Sequence, residues 1–143
     1  MEEILLVDDD RDCQGLIKNL LENEGMKVHC AARGAEALRK MKEMSFHLMI
    51  TDFNMPGMDG MELARKALEI APEMPIIMMT GEISPDIPRL ADEAKIKKVL
   101  AKPVHPIKML KAVRDVMGNR TEVTSSTETA IEWETGRRKS EFL

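Results

Sequence analysis

The chain has 143 residues, of which 43% are hydrophobic and 32% charged, and these values predict one globular domain with a short appendage. The formal net charge of −4 excludes a general basic surface for nucleic acid, and no apolar stretch approaches the length of a membrane span. The N-terminus lacks a signal-peptide pattern and two cysteines, Cys13 and Cys30, cannot make a disulfide framework, so we expect a cytoplasmic protein.

Short apolar runs alternate with stretches whose apolar residues recur at helical spacing. The predicted strands are residues 4–7, 26–31, 47–51, 75–80 and 97–101, and the predicted helices are residues 11–24, 35–44, 60–70, a short segment from about residue 86, and residues 106–117. Pro85 and Pro88 shorten the fourth helix, because proline is tolerated only in a first turn. Five alternations of strand and helix predict an α/β fold, with a parallel sheet covered by helices on both faces.

The composition changes after Gly118, where the chain becomes polar and rich in threonine and serine, as is typical of a linker. We therefore divide the chain into a domain of residues 1–118 and a tail or linker of residues 119–143. Ser125 and Glu128 have the spacing of a capping box, so a short helix in this tail stands as an alternative to a mobile end.

Polar side chains follow four of the predicted strands. They are Asp8-Asp9-Asp10 after the first, Asp52 after the third, Thr80-Gly81 after the fourth and Lys102-Pro103 after the fifth. Each of these side chains, taken by itself, also has a structural explanation. An aspartate after a strand, such as Asp10, often caps the next helix. Ligands of open parallel sheets bind at the carboxyl ends of the strands, so the set as a whole predicts a binding site there.

The chemistry of this set favours a metal ion and a phosphoryl group. If the first and third strands are neighbours, then Asp8, Asp9 and Asp52 converge and repel one another, and a hard divalent cation such as Mg²⁺ relieves the repulsion. An amine and a hydroxyl, from Lys102 and Thr80, can hold phosphoryl oxygens. Asp52 is then a candidate nucleophile that forms an aspartyl phosphate.

Four segments, "ILLVDDD", "LMITDFNMPGMDG", "IIMMTGE" and "VLAKP", resemble in order and spacing the signatures of a receiver domain of a bacterial two-component response regulator. The resemblance covers about residues 1–118 and is of the chemotaxis-regulator type. It implies a flavodoxin-like, doubly wound (βα)5 fold with strand order 2-1-3-4-5. The implied function is a phosphorylation-dependent switch, which catalyses only its own phosphorylation and dephosphorylation and is otherwise no enzyme.

The resemblance also implies roles around the metal ion. Asp52 matches the phosphoacceptor, and Asp9 and Asp52 match direct Mg²⁺ ligands. Asn54 matches the residue that lends its backbone carbonyl to the ion. Asp8 matches the second acidic residue, which orients a metal-bound water. The strand would thus deliver Asp52 to the pocket edge, and the turn after it would fold a carbonyl back onto the metal.

Further matches concern the phosphoryl group and the switch. Thr80 matches the switch hydroxyl, Lys102 the phosphate-binding amine, and Pro103 the proline that follows it in a cis peptide. The family usually carries tyrosine or phenylalanine three residues before the lysine, where this chain has Val99. An Ala-Gly pair, common before the fifth strand, is Ala94-Lys95 here. We therefore expect intact phosphorylation chemistry and a switch without an aromatic gate.

The partners implied are a sensor histidine kinase or phosphotransfer protein, and a downstream protein that contacts the fourth helix, fifth strand and fifth helix. A phosphorylation-dependent homodimer is compatible with the pattern, whereas direct contact with nucleic acid or membrane is not expected.

Two other classes are compatible with parts of the sequence. A phosphohydrolase of the haloacid dehalogenase type would use Asp8 and Asp10 as paired acids, but Asp12 stands where that motif carries threonine or valine. A receiver-like binding module that is never phosphorylated would have been free to lose the pocket residues that this chain retains.

Overall fold

The computed structural model describes residues 1–82, 84–118 and 130–131. Its elements are β1 (Glu3–Val7), α1 (Arg11–Glu22), β2 (Lys27–Ala31), α2 (Gly34–Glu43), β3 (Leu48–Asp52), α3 (Gly60–Ile70), β4 (Ile76–Thr80), α4 (Ile87–Glu93), β5 (Lys98–Ala101), α5 (Pro106–Gly118) and β6 (Ala130–Ile131). All five predicted strands and all five predicted helices are present, with ends within two residues of the expected ones. A search of the described residues finds no helix long and apolar enough to cross a membrane.

The strands form one parallel sheet in the order β2-β1-β3-β4-β5-β6. The predicted order 2-1-3-4-5 of the doubly wound fold is therefore confirmed. The two-residue strand β6 was not foreseen, and it adds to the outer edge of β5 within the region predicted to be a tail, linker or short helix. The proposed capping box of Ser125 and Glu128 lies outside the described residues.

Helices cover both faces of the sheet because the side chains of each central strand alternate between two apolar layers. On one face, Leu5, Met49 and Met78 pack with buried residues of α2, α3 and α4. On the other face, Leu6, Ile50 and Ile77 pack with buried residues of α1 and α5. This arrangement explains why β3 and β4 read as continuous apolar runs, and it fixes the strand ends rigidly.

The turns after β1 and β3 are held by aspartate caps and by a glycine. Asp10 accepts hydrogen bonds from the N–H groups of Asp12 and Cys13, and Asp59 accepts one from Glu62, so each begins a helix. A Cβ atom at Gly60 would collide with the backbone carbonyl oxygen of Asp52. Only glycine therefore lets α3 begin so close to the end of β3.

Candidate functional site

Three carboxylates meet at the carboxyl ends of β1 and β3. Asp8 and Asp9 follow β1, Asp52 is the last residue of β3, and the two strands are paired neighbours. One carboxylate oxygen from each residue lies within 4.8 Å of the others. Asp8 and Asp52 are buried, whereas Asp9 is exposed. The predicted convergence is thus present, and the cluster has the oxygen donors that a hard divalent cation prefers.

Lys102 places its amine between the two buried carboxylates. Its Nζ atom lies 3.0 Å from Oδ2 of Asp8 and 3.3 Å from Oδ1 of Asp52. The backbone N–H of Lys102 donates to the carbonyl of Thr80, which fixes the end of β5 against the end of β4. The Lys102–Pro103 peptide is cis, in agreement with the sequence-based expectation.

Burial and the neighbouring charges act in opposite directions on these groups. Burial raises the pKa of Asp52, the charge of Lys102 opposes this, and the charges of Asp8 and Asp9 add to it, so the net shift is upward. Burial lowers the pKa of Lys102, but its hydrogen bond to Asp8 and the two carboxylate charges outweigh this, and the net shift is also upward. The lysine is therefore a permanent cation at neutral pH.

Cys13 lies beside the cluster but is not a competing nucleophile. Burial, followed by a hydrogen bond with Asp8 and the charge of that carboxylate, raises the pKa of the Cys13 thiol to about 12. The thiolate is the reactive form of cysteine, so Cys13 is a poor nucleophile at neutral pH.

Thr80 is buried at the end of β4, where its hydroxyl is held by its own loop. Its Oγ1 donates to the backbone carbonyl of Glu82 at 3.2 Å and accepts the N–H of Glu82 at 3.0 Å. The Glu82 carboxylate in turn accepts a hydrogen bond of 2.6 Å from the side-chain amide of Asn54. The loops after β3 and β4 are thus linked next to Asp52.

One residue of this region, Gln14, was not identified from the sequence. Gln14 donates from Nε2 to the backbone carbonyls of Asp8 at 3.0 Å and Ala31 at 3.1 Å, and so ties the ends of β1 and β2 to α1. No local pattern marks Gln14, because its partners come from strand pairing.

A groove of about 470 Å³ opens beside Lys102, between α1 and the loop that follows β5. It is lined by Asp10, Asp12, Cys13, Leu16, Ile17, Lys102, Pro103 and Val104. A second depression of about 270 Å³ continues it past Leu20 and Pro106. The Leu16 side chain is 73% exposed at its rim. A largely apolar surface thus lies next to Lys102.

Known proteins share both this sequence pattern and this fold. A sequence profile of the "Response regulator receiver domain" family matches residues 4–114. The response regulator receiver protein CpdR of Brucella abortus (strain 2308) is 40% identical over 105 residues, which cover 73% of this chain and 88% of CpdR. The transcriptional regulatory protein DctD of Rhizobium meliloti (strain 1021) is 40% identical over 78 residues, but these span only 17% of DctD and 54% of this chain.

Solved structures agree with these relationships. The chemotaxis protein CheY4 of Vibrio cholerae superimposes with a TM-score of 0.77 at 32% identity, over 81% of this chain and 98% of CheY4. A CheY-like receiver domain protein of Methanospirillum hungatei JF-1 gives a TM-score of 0.81 at 32% identity, over 87% and 99% of the two chains. Neither alternative class is favoured by these matches. The chain belongs to the receiver domains of two-component response regulators, which are phosphorylation-dependent signalling switches rather than enzymes in the usual sense.

Proposed function

We propose that Asp52 is the phosphoacceptor of this receiver domain. The observation that carries the proposal is the position of Lys102 Nζ, 3.3 Å from Asp52 Oδ1 and 3.0 Å from Asp8 Oδ2, beside a cluster of three carboxylates. Asp52 is buried at a rigid strand end, and the adjacent ammonium group opposes the effect of burial on its ionisation. It is therefore both oriented and kept available as a carboxylate.

The carboxylate cluster fits Mg²⁺. Asp9 and Asp52 would bind the ion directly together with the backbone carbonyl of Asn54, and Asp8 would orient a metal-bound water. When bound, Mg²⁺ would neutralise charge on the phosphoryl oxygens. Lys102 is the one cation that contacts these carboxylates within the described part of the chain, so a divalent cation relieves a repulsion that it leaves in place.

In the transfer step, an Asp52 carboxylate oxygen attacks the phosphorus of a phosphohistidine. The new O–P bond forms as the P–N bond breaks, and the bonding electron pair leaves with the imidazole, which takes up a proton. Lys102 holds the transferred oxygens through charge-assisted hydrogen bonds. The signal ends when water attacks the phosphorus of the aspartyl phosphate and releases inorganic phosphate. The domain would thus catalyse its own dephosphorylation.

The switch would follow from Thr80. Its hydroxyl hydrogen now points to the carbonyl of Glu82, and a phosphoryl oxygen on Asp52 offers a stronger, charged acceptor. Rotation of the hydroxyl toward Asp52 would break the bond to Glu82 and move the loop toward α4. Val99 is fully buried and stiff about its first torsion, so we expect no aromatic gate.

The proposal includes the partners and the extent of the domain. A sensor histidine kinase or phosphotransfer protein would supply the phosphoryl group, and the groove along α1 offers it contact beside Lys102. A downstream protein, or a second copy after phosphorylation, would bind α4, β5 and α5. Residues 1–118 would form the receiver and residues 119–143 its tail or linker. Two free thiols, at Cys13 and Cys30, fit a cytoplasmic location.

The test is labelling by acetyl phosphate in the presence of Mg²⁺, read as the mass of one phosphoryl group on intact protein. Asp52→Asn should fold and remain unlabelled. Asp59→Asn is the matched control, because asparagine caps α3 as well as aspartate does and labelling should persist. Label on Asp52→Asn, or its loss in Asp59→Asn alone, would overturn the assignment.

A further inference from the structure

The outer edge of β5 carries a strand that the five-stranded fold does not require. Ala130 pairs with Lys98 and Ile131 pairs with Val99, in parallel register. The polar stretch of residues 119–129 separates this strand from the end of α5. The chain thus returns to its own sheet after the last helix.

β5 offers a well-anchored edge for such pairing. All four of its side chains are buried, and Lys98 is tied to α5 by a 3.0 Å ion pair with Asp115. An exposed edge strand presents unpaired N–H and C=O groups that another extended segment can bind by backbone hydrogen bonds. Without β6, β5 would be an edge of this kind.

We propose that the outer edge of β5 is a binding site for an extended peptide segment, and that the segment around Ala130–Ile131 of the same chain occupies it and competes with any partner strand. β6 pairs with Lys98 and Val99 of β5, whereas the described residues give Leu100 and Ala101 a strand partner on β4 but none on the outer edge. A longer strand would pair along the whole edge.

The competition has a simple energetic basis. A two-residue strand makes few hydrogen bonds, but its covalent connection to the rest of the chain gives it a higher effective concentration at the edge of β5 than a separate peptide has. Occupied in this way, the edge admits a partner only when the partner pairs more extensively. The regulation of partner binding by β6 rests on the proposed partner surface of α4, β5 and α5. The pairing of β6 with β5 does not depend on phosphorylation.

The first test is hydrogen exchange of the full chain without a phosphoryl donor. The variant with Ala130→Pro and Ile131→Pro removes both strand N–H donors, and Ser126→Pro is the control for proline elsewhere in the same region. We expect faster exchange of residues 98–101 in the double variant only, with β1 unchanged as the internal reference. Unchanged exchange in β5 would overturn the proposal. Protection that is lost on dilution would do so too, because a second copy would then supply the strand.

The second test measures binding to the edge directly. A fluorescent peptide of residues 127–134, TETAIEWE, should bind the double variant at least about tenfold more tightly than the parent, since the site is free in only a fraction of parent molecules. The same peptide with proline at both strand positions should not bind. Equal affinity for parent and variant would contradict competition. Both tests are made on unphosphorylated protein, so a failure of Asp52 labelling would leave their outcomes interpretable.

Discussion

The side-chain amide of Asn54 donates a 2.6 Å hydrogen bond to the carboxylate of Glu82, and this bond joins the loops that follow β3 and β4. Both residues are exposed and polar, so water reaches the neighbourhood of Asp52. We therefore predict that the phosphoryl group turns over rather than persists. Glu82→Leu should slow its loss several-fold, because an apolar side chain excludes water and releases Asn54. Mass spectrometry after removal of the phosphoryl donor measures the decay.

Glu73→Leu serves as the control for this change, since Glu73 is an exposed glutamate before the opposite end of β4. Its decay should match the parent. The exposure of Asn54 and Glu82 implies that water reaches Asp52. A parent protein that stays labelled for many hours would contradict this.

Magnesium should stabilise the native state, because the cluster of Asp8, Asp9 and Asp52 exists only in the folded chain. At 100 times its dissociation constant the gain is about 2.7 kcal/mol, which raises Tm by roughly 10 °C for a domain of this size. Thermal melts with Mg²⁺ and with EDTA measure it. Asp9→Ala should lose most of the gain, whereas Asp12→Ala, in the first turn of α1, should keep it. An equal gain in both variants would place the ion elsewhere.

Asp52→Asn should stabilise the metal-free protein at neutral pH. The folded-state pKa of Asp52 lies above its ordinary value of 3.8, so the native state binds that proton more tightly than the unfolded state does. The cost of the native carboxylate is therefore present at pH values above the raised pKa and disappears as the pH falls toward 3.8. The expected gain is about 0.5–2 kcal/mol, the range typical of a stabilising substitution.

Urea unfolding in EDTA at neutral pH and near pH 3.8 checks this dependence. The difference between Asp52→Asn and the parent should shrink at the lower pH. A difference that grows on acidification would mean that the net effect of the site on Asp52 is to lower its pKa.

Thr80→Ala should uncouple the loop after β4 from the phosphoryl group. In the parent, beryllofluoride, which mimics a phosphoryl group, should shift backbone amide signals most strongly within residues 80–100. The variant lacks the hydroxyl that donates to the carbonyl of Glu82 and that would donate to a phosphoryl oxygen instead. Its amide shifts within residues 80–100 should therefore be markedly smaller. Thr51→Ala, a buried threonine hydroxyl bonded to the adjacent backbone of Asp52, is the matched control. A response of Thr80→Ala equal to the parent's would reject the role of this hydroxyl.

Val99→Tyr tests the absence of an aromatic gate. Val99 is fully buried in the same apolar layer as Ile87 and Ala91 of α4, so tyrosine overpacks the layer at a cost of about 1–3 kcal/mol. The tyrosine ring can, however, take two discrete positions. The changes in backbone amide signals near residue 99 on adding beryllofluoride should therefore increase. Val99→Ile controls for volume. No increase with tyrosine would mean that another element already performs the gating.

The sequence predicted the strands, helices and converging acids because each leaves a local or periodic signal. Asp8, Asp52 and Lys102 stand at the ends of predicted strands, and the order of the parallel strands then brings them together. The bonds of Gln14 to Asp8 and Ala31 gave no such signal, since they depend on how three elements meet. β6 was missed for a related reason, because two residues in a polar stretch do not show a strand's alternation, and the open edge of β5 provides the reason for pairing.

The raised pKa of Cys13, about 12, makes this side chain slow to react with oxidants. At neutral pH almost every Cys13 side chain is a thiol, which reacts slowly with peroxides and alkylating reagents. Burial, with a smaller contribution from the neighbouring carboxylate of Asp8, thus shields this sulfur from modification. A cysteine introduced elsewhere on the surface could therefore be labelled selectively while Cys13 stays unmodified.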